Sequence, residues 1–322
     1  MPRVLLFDQN SVPQLFDTGQ DALTQLSENR LAWVHLRSND DVRSILPDII
    51  DKSRGFTEDL LEEQRPRVAL YPTTEDNEDT FSVIVLSMPT HKIFEQDEFQ
   101  LQVTFILLDN KIYSVGSTEI GIFPEIMAKI QTRKMQHTIS TLFKTILSEL
   151  FEMGIEVMNS VEEFIDHTEG KQLKSNLERG WLASLLTLKS RLFDANKLIK
   201  ADLEHVREIM EGEVPELDSE EVGDHPEDRL LYSIDYIETL REELSNIINL
   251  NIAISNQLMQ KQFYVLTILG ALLVIPTVIS GLFGMNVPLP DLTFWQIILL
   301  MTILTIFFGL LIQFLVPRPT LS

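Results

Sequence analysis

The chain contains no cysteine, so disulfides and thiolate metal centres are excluded, and the absence fits a reducing compartment. Its six histidines never pair at ligand spacing, which removes the usual basis for zinc or copper chemistry. Positive charge is scarce: 26 Lys and Arg stand against 48 Asp and Glu, a formal net charge of −22. So acidic a chain is a poor partner for nucleic-acid phosphates and for anionic lipid headgroups. It has no Gly-rich phosphate loop, no nucleophile elbow and no other catalytic constellation, so neither an enzyme nor an organic cofactor is expected. The opening MPRVLLFDQN lacks a long apolar run and a small-residue cleavage site, so no secretory signal is expected there.

The most informative absence is that of charge near the C-terminal end. Residues 263–283 carry none, about 21 positions, enough for a helix to cross a hydrocarbon core of about 30 Å. A second uncharged run, 293–316, follows a loop at 287–292. Beyond Lys261 the only charges are Asp291 and Arg318, so the acidity lies ahead of these runs. Arg241, Lys261 and Arg318 flank the spans while the short loop has no basic residue, which puts both termini on the cytoplasmic side of a plasma (inner) membrane. The expectation is a multi-pass protein with a large cytoplasmic body and a lipid-embedded hairpin.

The body divides in two. Residues 1–135 mix strand and helix signals. Short β-rich runs occupy 3–7, 31–36, 67–71, 81–88, 100–108 and 111–115, with helical patterns at 19–28, 40–52, 57–63 and 124–134. Asp109-Asn110 reads as a hairpin turn. These signals describe an α/β domain with a mixed sheet covered by helices. Residues 136–225 are helical: 137–166 places Leu142, Ile146, Leu150, Phe151, Val157 and Phe164 at three-and-four spacing, Gly170 ends that helix, and 172–210 returns antiparallel. The stretch 208–228 is densely acidic, without Lys or Arg, and is broken by Gly212, Pro215, Gly223 and Pro226. It reads either as an exposed connection at a hairpin tip or as a cation site. For the carboxylates at large, solubility and cation attraction are the two readings.

After Pro226 no Gly or Pro interrupts the pattern until Gly270, and Leu230, Ile234, Ile237, Leu240, Leu244 and Ile248 keep one apolar stripe. A single helix over 227–283 is expected, about 85 Å long at 1.5 Å per residue. A stripe on so long a helix points to helix-to-helix contact between copies of the chain. Within the first span Phe263, Leu266, Gly270, Val274, Thr277, Gly281 and Gly284 share a face, bulky at one end and small or hydroxylic at the other. Such a face suits either a pore wall, with the apolar rings gating by dewetting, or ordinary small-residue packing between membrane helices. Pro276 frees the carbonyl of Leu272.

At the end of this span stands Gly284-Met285-Asn286, preceded by Ser280-Gly281-Leu282-Phe283, with Val265-Leu266-Thr267-Ile268 at its start. The signature, the two C-terminal spans and the order of domains resemble the CorA family of divalent-cation channels over the whole chain. The resemblance implies a funnel-shaped homopentamer in which 226–286 is a stalk continuing into the pore helix and 317–322 is a cytoplasmic tail. Gly284, Met285 and Asn286 would then form the outer selectivity mouth, where neutral amide oxygens hold the water shell of Mg2+ without stripping it. The implied activity is passive influx of hydrated Mg2+, with Co2+ and Ni2+, driven by the membrane potential. Mg2+ would also be the regulatory ligand, bridging carboxylates of neighbouring copies to hold the pore shut. By position Asp224, Glu227 and Asp228 match one side of such a site, with Asp97 and Glu98 the partner side. Two departures stand out: the loop Val287-Pro288-Leu289-Pro290-Asp291 lacks the family's Met-Pro-Glu-Leu motif, and the basic cluster after the second span is reduced to Arg318. The zinc-transporting branch shares the architecture, and a non-conducting membrane-tethered sensor is the alternative from another class.

Overall fold

A computed structural model describes residues 3–7, 13–17, 30–37, 39–47, 66–72, 80–95, 99–116, 122–132, 138–172, 181–285 and 293–315. The chain separates into two compact units, Met1–Asn246 and Ile247–Ser322.

The first unit is built on a seven-stranded sheet in the order β2-β1-β3-β7-β6-β5-β4. The strands are β1 (Arg3–Leu6), β2 (Gln14–Asp17), β3 (Ala32–Leu36), β4 (Arg67–Pro72), β5 (Thr80–Pro89), β6 (Gln100–Leu108) and β7 (Lys111–Gly116). Only β3 and β7 run parallel; every other pair is antiparallel, so the sheet is mixed as its sequence suggests. All six expected strands are present. The short edge strand β2 is additional, pairing Leu15 with Leu5 of β1. Asp109 and Asn110 both take positive φ, 48° and 63°, the backbone a two-residue β6–β7 turn with matching twist requires.

Both faces of the sheet are covered, which is why its strands read as continuous apolar runs rather than alternating ones. One face packs Val4, Val34, Phe81, Val83 and Ile106 with Val42 and Leu46; Val42 lies in α1 (Asn39–Ile45) and Leu46 just beyond it. On the other, α2 (Ile122–Gln131) sets Phe123 edge-on to Trp33 and Phe105, and α3 (Ile139–Gln172) sets Phe143 edge-on to Phe105 at 5.3 Å. Under Phe123 lies a buried polar trio. The Trp33 indole N–H donates to Ser114 Oγ at 2.9 Å, and His35 Nδ1 meets the same oxygen at 3.2 Å. Burial lowers the His35 pKa to about 4, with Arg37 and Arg3 adding to the effect.

Of the expected helices, 19–28 and 57–63 lie outside the described residues. Of the helix expected at 40–52 only Asn39–Ile45 is observed, as α1; Leu46 interrupts it and 48–52 lie outside the described residues. The helix expected at 124–134 is observed as α2, which starts earlier, at Ile122, and ends at Gln131. Two further boundaries need correcting. Gly170 does not end α3, which carries it internally and includes Gln172, so the return helix α4 does not start at 172; it is described from Trp181, with 173–180 outside the described residues. A glycine near a helix end costs only about 1 kcal/mol, less than the packing behind it.

The acidic stretch after α4 (Trp181–Met210) is not an exposed tip. Val214 and Val222 are fully buried and Leu217 nearly so, and these three anchor it to the body. Asp218 caps the four-residue helix α5 (Ser219–Val222), accepting from the Glu220 N–H at 2.9 Å, and its own N–H donates to Ser140 Oγ at 2.8 Å. Glu216 accepts from the Ser82 hydroxyl and Glu221 from that of Thr138. Sparse valines and leucines among carboxylates look solvent-bound in sequence but are enough to tether a loop.

A single helix, α6 (His225–Phe283), runs on for 59 residues, and α7 (Phe294–Leu315) follows. Leu230, Ile237, Leu240 and Leu244 of α6 are buried in the first unit, as the stripe requires. At one sheet edge β5 outruns β4, whose last pair is Arg67 with Val85. Ser87, just past that pair, donates its N–H to the Asp202 carboxylate of α4 at 3.1 Å. Burial raises the pKa of Asp202 well above the usual carboxylate range, opposed by this bond.

Candidate functional site

The second unit holds two helices long and apolar enough to cross a membrane, α7 and the end of α6. Their exposure is periodic. On α6, Tyr264, Ile268, Leu272, Ile275, Pro276 and Phe283 are half-buried and Ile279 is buried. On α7 the half-buried positions are Ile297, Met301, Thr305 and Gly309, every fourth residue. Two such ridges mark the faces on which the helices meet, and a Cβ added at Gly309 would stand 3.4 Å from Leu272 Cδ2.

Phe263, Leu266, Gly270, Val274, Thr277, Gly281 and Gly284 all lie on the other side of α6 and are exposed. Phe263 is 59 %, Leu266 65 % and Val274 57 % accessible, although each is large and apolar. Packing against α7 therefore does not account for this stripe. The Thr277 hydroxyl donates to the Leu273 carbonyl at 2.8 Å, which leaves its oxygen as an acceptor facing outward. At the helix end Gly284 N–H bonds Ser280 O at 3.0 Å and Met285 N–H bonds Leu282 O at 3.2 Å. A side chain at Gly284 would begin 3.3 Å from the Ser280 carbonyl oxygen, a close contact where the signature starts. Asn286 lies outside the described residues. On α7, Phe294 and Trp295 are exposed side by side near its start, and Trp, with its apolar ring and polar N–H, is a residue expected at a membrane interface.

The carboxylates assigned to cation sensing fare unequally. Glu227 is engaged within the chain, accepting from Arg207 Nε at 2.7 Å. Asp224 and Asp228 are exposed and four residues apart where α6 starts, the Asp228 N–H bonding the Asp224 carbonyl at 3.0 Å. Asp97 and Glu98 lie outside the described residues. Among the described residues of one chain, no three His, Asp or Glu are grouped to hold a metal ion. An acidic concentration that the sequence reading passed over brings Glu162, Asp166 and Glu169 of α3 near Glu243 of α6. Partial burial, then those three charges, raise the Glu243 pKa. Beside it the Tyr236 hydroxyl donates to Glu162 at 2.6 Å and contacts Asn159 Oδ1 at 2.9 Å. The 162-166-169 spacing was visible in the sequence; its pairing with α6 was not.

A family model described as CorA-like Mg2+ transporter protein matches residues 28–318. The curated cobalt/magnesium transport protein CorA of Methanocaldococcus jannaschii is 24 % identical over 249 residues, 74 % of this chain and 77 % of that protein. Among solved structures, the complete CorA magnesium transporter of the same organism superposes with a TM-score of 0.77 at 22 % identity, covering 96 % of this chain and 97 % of that one. Full-length CmaX gives 0.71 at 16 % identity, covering 97 % of this chain and 95 % of its own. The ZntB cytoplasmic domain from Vibrio parahaemolyticus gives 0.58 at 13 %, over 79 % of this chain and 97 % of that domain. At these identities the solved structures speak for the fold alone.

Proposed function

The chain belongs to the family of CorA-like Mg2+ transporter proteins, which transport divalent cations, and on that premise we propose that it is a passive influx channel for hydrated Mg2+, with Co2+ and Ni2+ as further substrates. The observation that carries the reading is the exposed stripe of α6, apolar at Phe263 and Leu266 and small or hydroxylic from Gly270 to Gly284, on the side turned from α7. A second copy of the chain is a natural cover for such a stripe, and five copies around an axis would turn it into a pore wall. Phe263 and Leu266 then form a dewetting constriction, while Val274, Thr277 and Gly281 leave room for an ion with its water.

At the mouth, Asn286 beside Gly284 and Met285 offers neutral oxygens to the water shell. Mg2+ dehydrates reluctantly, so holding the shell is less costly than stripping it. A potential negative inside supplies about 4.6 kcal/mol per divalent ion per 100 mV, and no nucleotide is needed. The spans would sit in the plasma (inner) membrane with both termini cytoplasmic. Mg2+ bound between copies at Asp224 and Asp228, with Glu227, Asp97 and Glu98 as further candidates, would hold the closed state against the mutual repulsion of −22 per chain.

The test is flux into liposomes containing the purified protein, with Mg2+, Co2+, Ni2+ and Zn2+ compared. Asn286→Ala should lower Mg2+ flux by about tenfold or more, since each hydrogen bond to a charged species is worth about 1.5–3 kcal/mol. Undiminished flux through a correctly inserted variant defeats the mouth assignment. Flux of Zn2+ without Mg2+ would move the chain to zinc transport, and no flux of any ion would leave a membrane-tethered sensor.

A further inference from the structure

The α/β unit contains a hollow of about 300 Å³ that nothing in the transport reading uses. It opens where the end of β5 and the start of β6 meet α2 and α3. Its apolar walls come from Met88, Leu101, Ile122, Leu150, Met153 and Val157. Two of these are methionines, unbranched and polarizable, which adapt to ligands of different outline. Gly154 lies in the α3 wall, and a Cβ there would come within 2.8 Å of Met88 Cε. The volume falls at the lower end of ordinary small-molecule sites, which combine apolar walls with a few polar groups.

The polar groups are at the rim. Glu125 projects from α2 and Glu156 from α3; both are exposed, and neither carboxylate has a partner among the described residues. His91 and Lys92 also line the hollow, on a 3-10 turn, His91–Phe94, that Arg191 of α4 fixes by donating to the Ile93 carbonyl at 2.7 Å. The lining thus holds one permanent cation and two carboxylates, and the chain as a whole adds a strongly negative field. We propose that this hollow binds a small organic cation with an apolar body, its apolar part between the methionines and its charge between Glu125 and Glu156.

The site lies wholly within Met1–Asn246 and stands or falls independently of the ion pathway. The test uses full-length protein in lipid nanodiscs and a photoreactive probe, a benzylammonium carrying a trifluoromethyl-diazirine at the para position. The matching benzyl alcohol and benzoate serve as controls. With about fifteen non-hydrogen atoms at about 0.3 kcal/mol each, affinity near 1 mM is within reach of such a probe, so labelling is titrated to about 1 mM. After photolysis, mass spectrometry should find saturable label on 88–92 and 150–157, several-fold stronger for the cation than for the benzoate. The double variant Glu125→Gln, Glu156→Gln should lose several-fold of the cation's labelling while its circular-dichroism melt is unchanged, because both side chains are exposed. Equal labelling by the three probes overturns the proposal. So does label confined to 263–283 and 294–315, or labelling undiminished in the double variant.

Discussion

The two units handle apolar residues in opposite ways. In Met1–Asn246 the largest are mostly put away: Trp33, Phe81, Phe105, Phe123, Phe143 and Phe151 are each less than 2 % accessible within one chain, although Phe94, Leu186 and Phe193 stay exposed. In Ile247–Ser322 they are on view: Phe263, Leu266, Leu273, Phe294, Trp295 and Phe307 are each more than half accessible. A water-soluble chain does not tolerate so contiguous an apolar surface. The first unit carries its own core, whereas the second leaves most of its large apolar side chains uncovered within one chain. Core residues in one and surface residues in the other therefore have different jobs despite similar chemistry.

The contrast can be broken most directly by paired truncations to alanine. Residues 1–246 made alone should fold without lipid, and Phe105→Ala should cost that unit about 3–5 kcal/mol in a urea titration. In the full-length protein Phe263→Ala should leave the stability of the first unit within about 0.5 kcal/mol, while altering conduction. Equal destabilisation by the two would refute the division.

Next in size is a pH effect confined to the first unit. His35 titrates near 4 when folded and near 6.5 when unfolded, so the unfolded chain takes up its proton first. The stability tied to neutral His35 is complete above pH 6.5, is lost as the pH falls, and stops falling below about 4. The difference amounts to about 3 kcal/mol. His35→Phe should remove that component from the stability–pH profile of residues 1–246, and an unchanged slope would show that another group titrates.

A somewhat smaller effect would sharpen the contrast from the side of assembly. One Mg2+ site occupied at about 100 times its dissociation constant contributes roughly 2.7 kcal/mol. Asp224→Asn with Asp228→Asn should therefore weaken the protection from protease that Mg2+ gives the full-length protein. Monovalent salt at matched ionic strength should not reproduce that protection, as plain screening would. The smallest change is expected at the constriction: Leu266→Ala should raise basal Mg2+ leak a few-fold, because a wider ring wets more easily. No rise in leak would place the gate elsewhere.

Much of this was legible in the residues. Strands β1 and β3 to β7 and the unbroken α6 followed from apolar runs, turn residues and the absence of Gly and Pro, all local signals. The packing of 208–228 was not legible, because what holds Val214, Leu217 and Val222 is a surface made by distant segments. The short strand β2 escaped for the same reason, since its four residues are a strand only beside β1. Which stripe of α6 faces α7 and which is left open could be counted from spacing, but only the observed exposures separate them. Glu227 matched a sensing position by location, yet its pairing with Arg207 depends on how α4 returns past α6.

The carboxylate of Asp202 has a consequence in time as well as in place. Ser87 is made 115 residues before the side chain that receives its N–H. At about 5–20 residues per second, the end of β5 spends roughly 6–23 s on the ribosome with its outer edge uncapped, an open invitation to strands of neighbouring nascent chains. A polysome carrying this message is thus most exposed to mispairing between the emergence of β5 and that of α4, and a holdase that recognises extended apolar chain has its natural moment there.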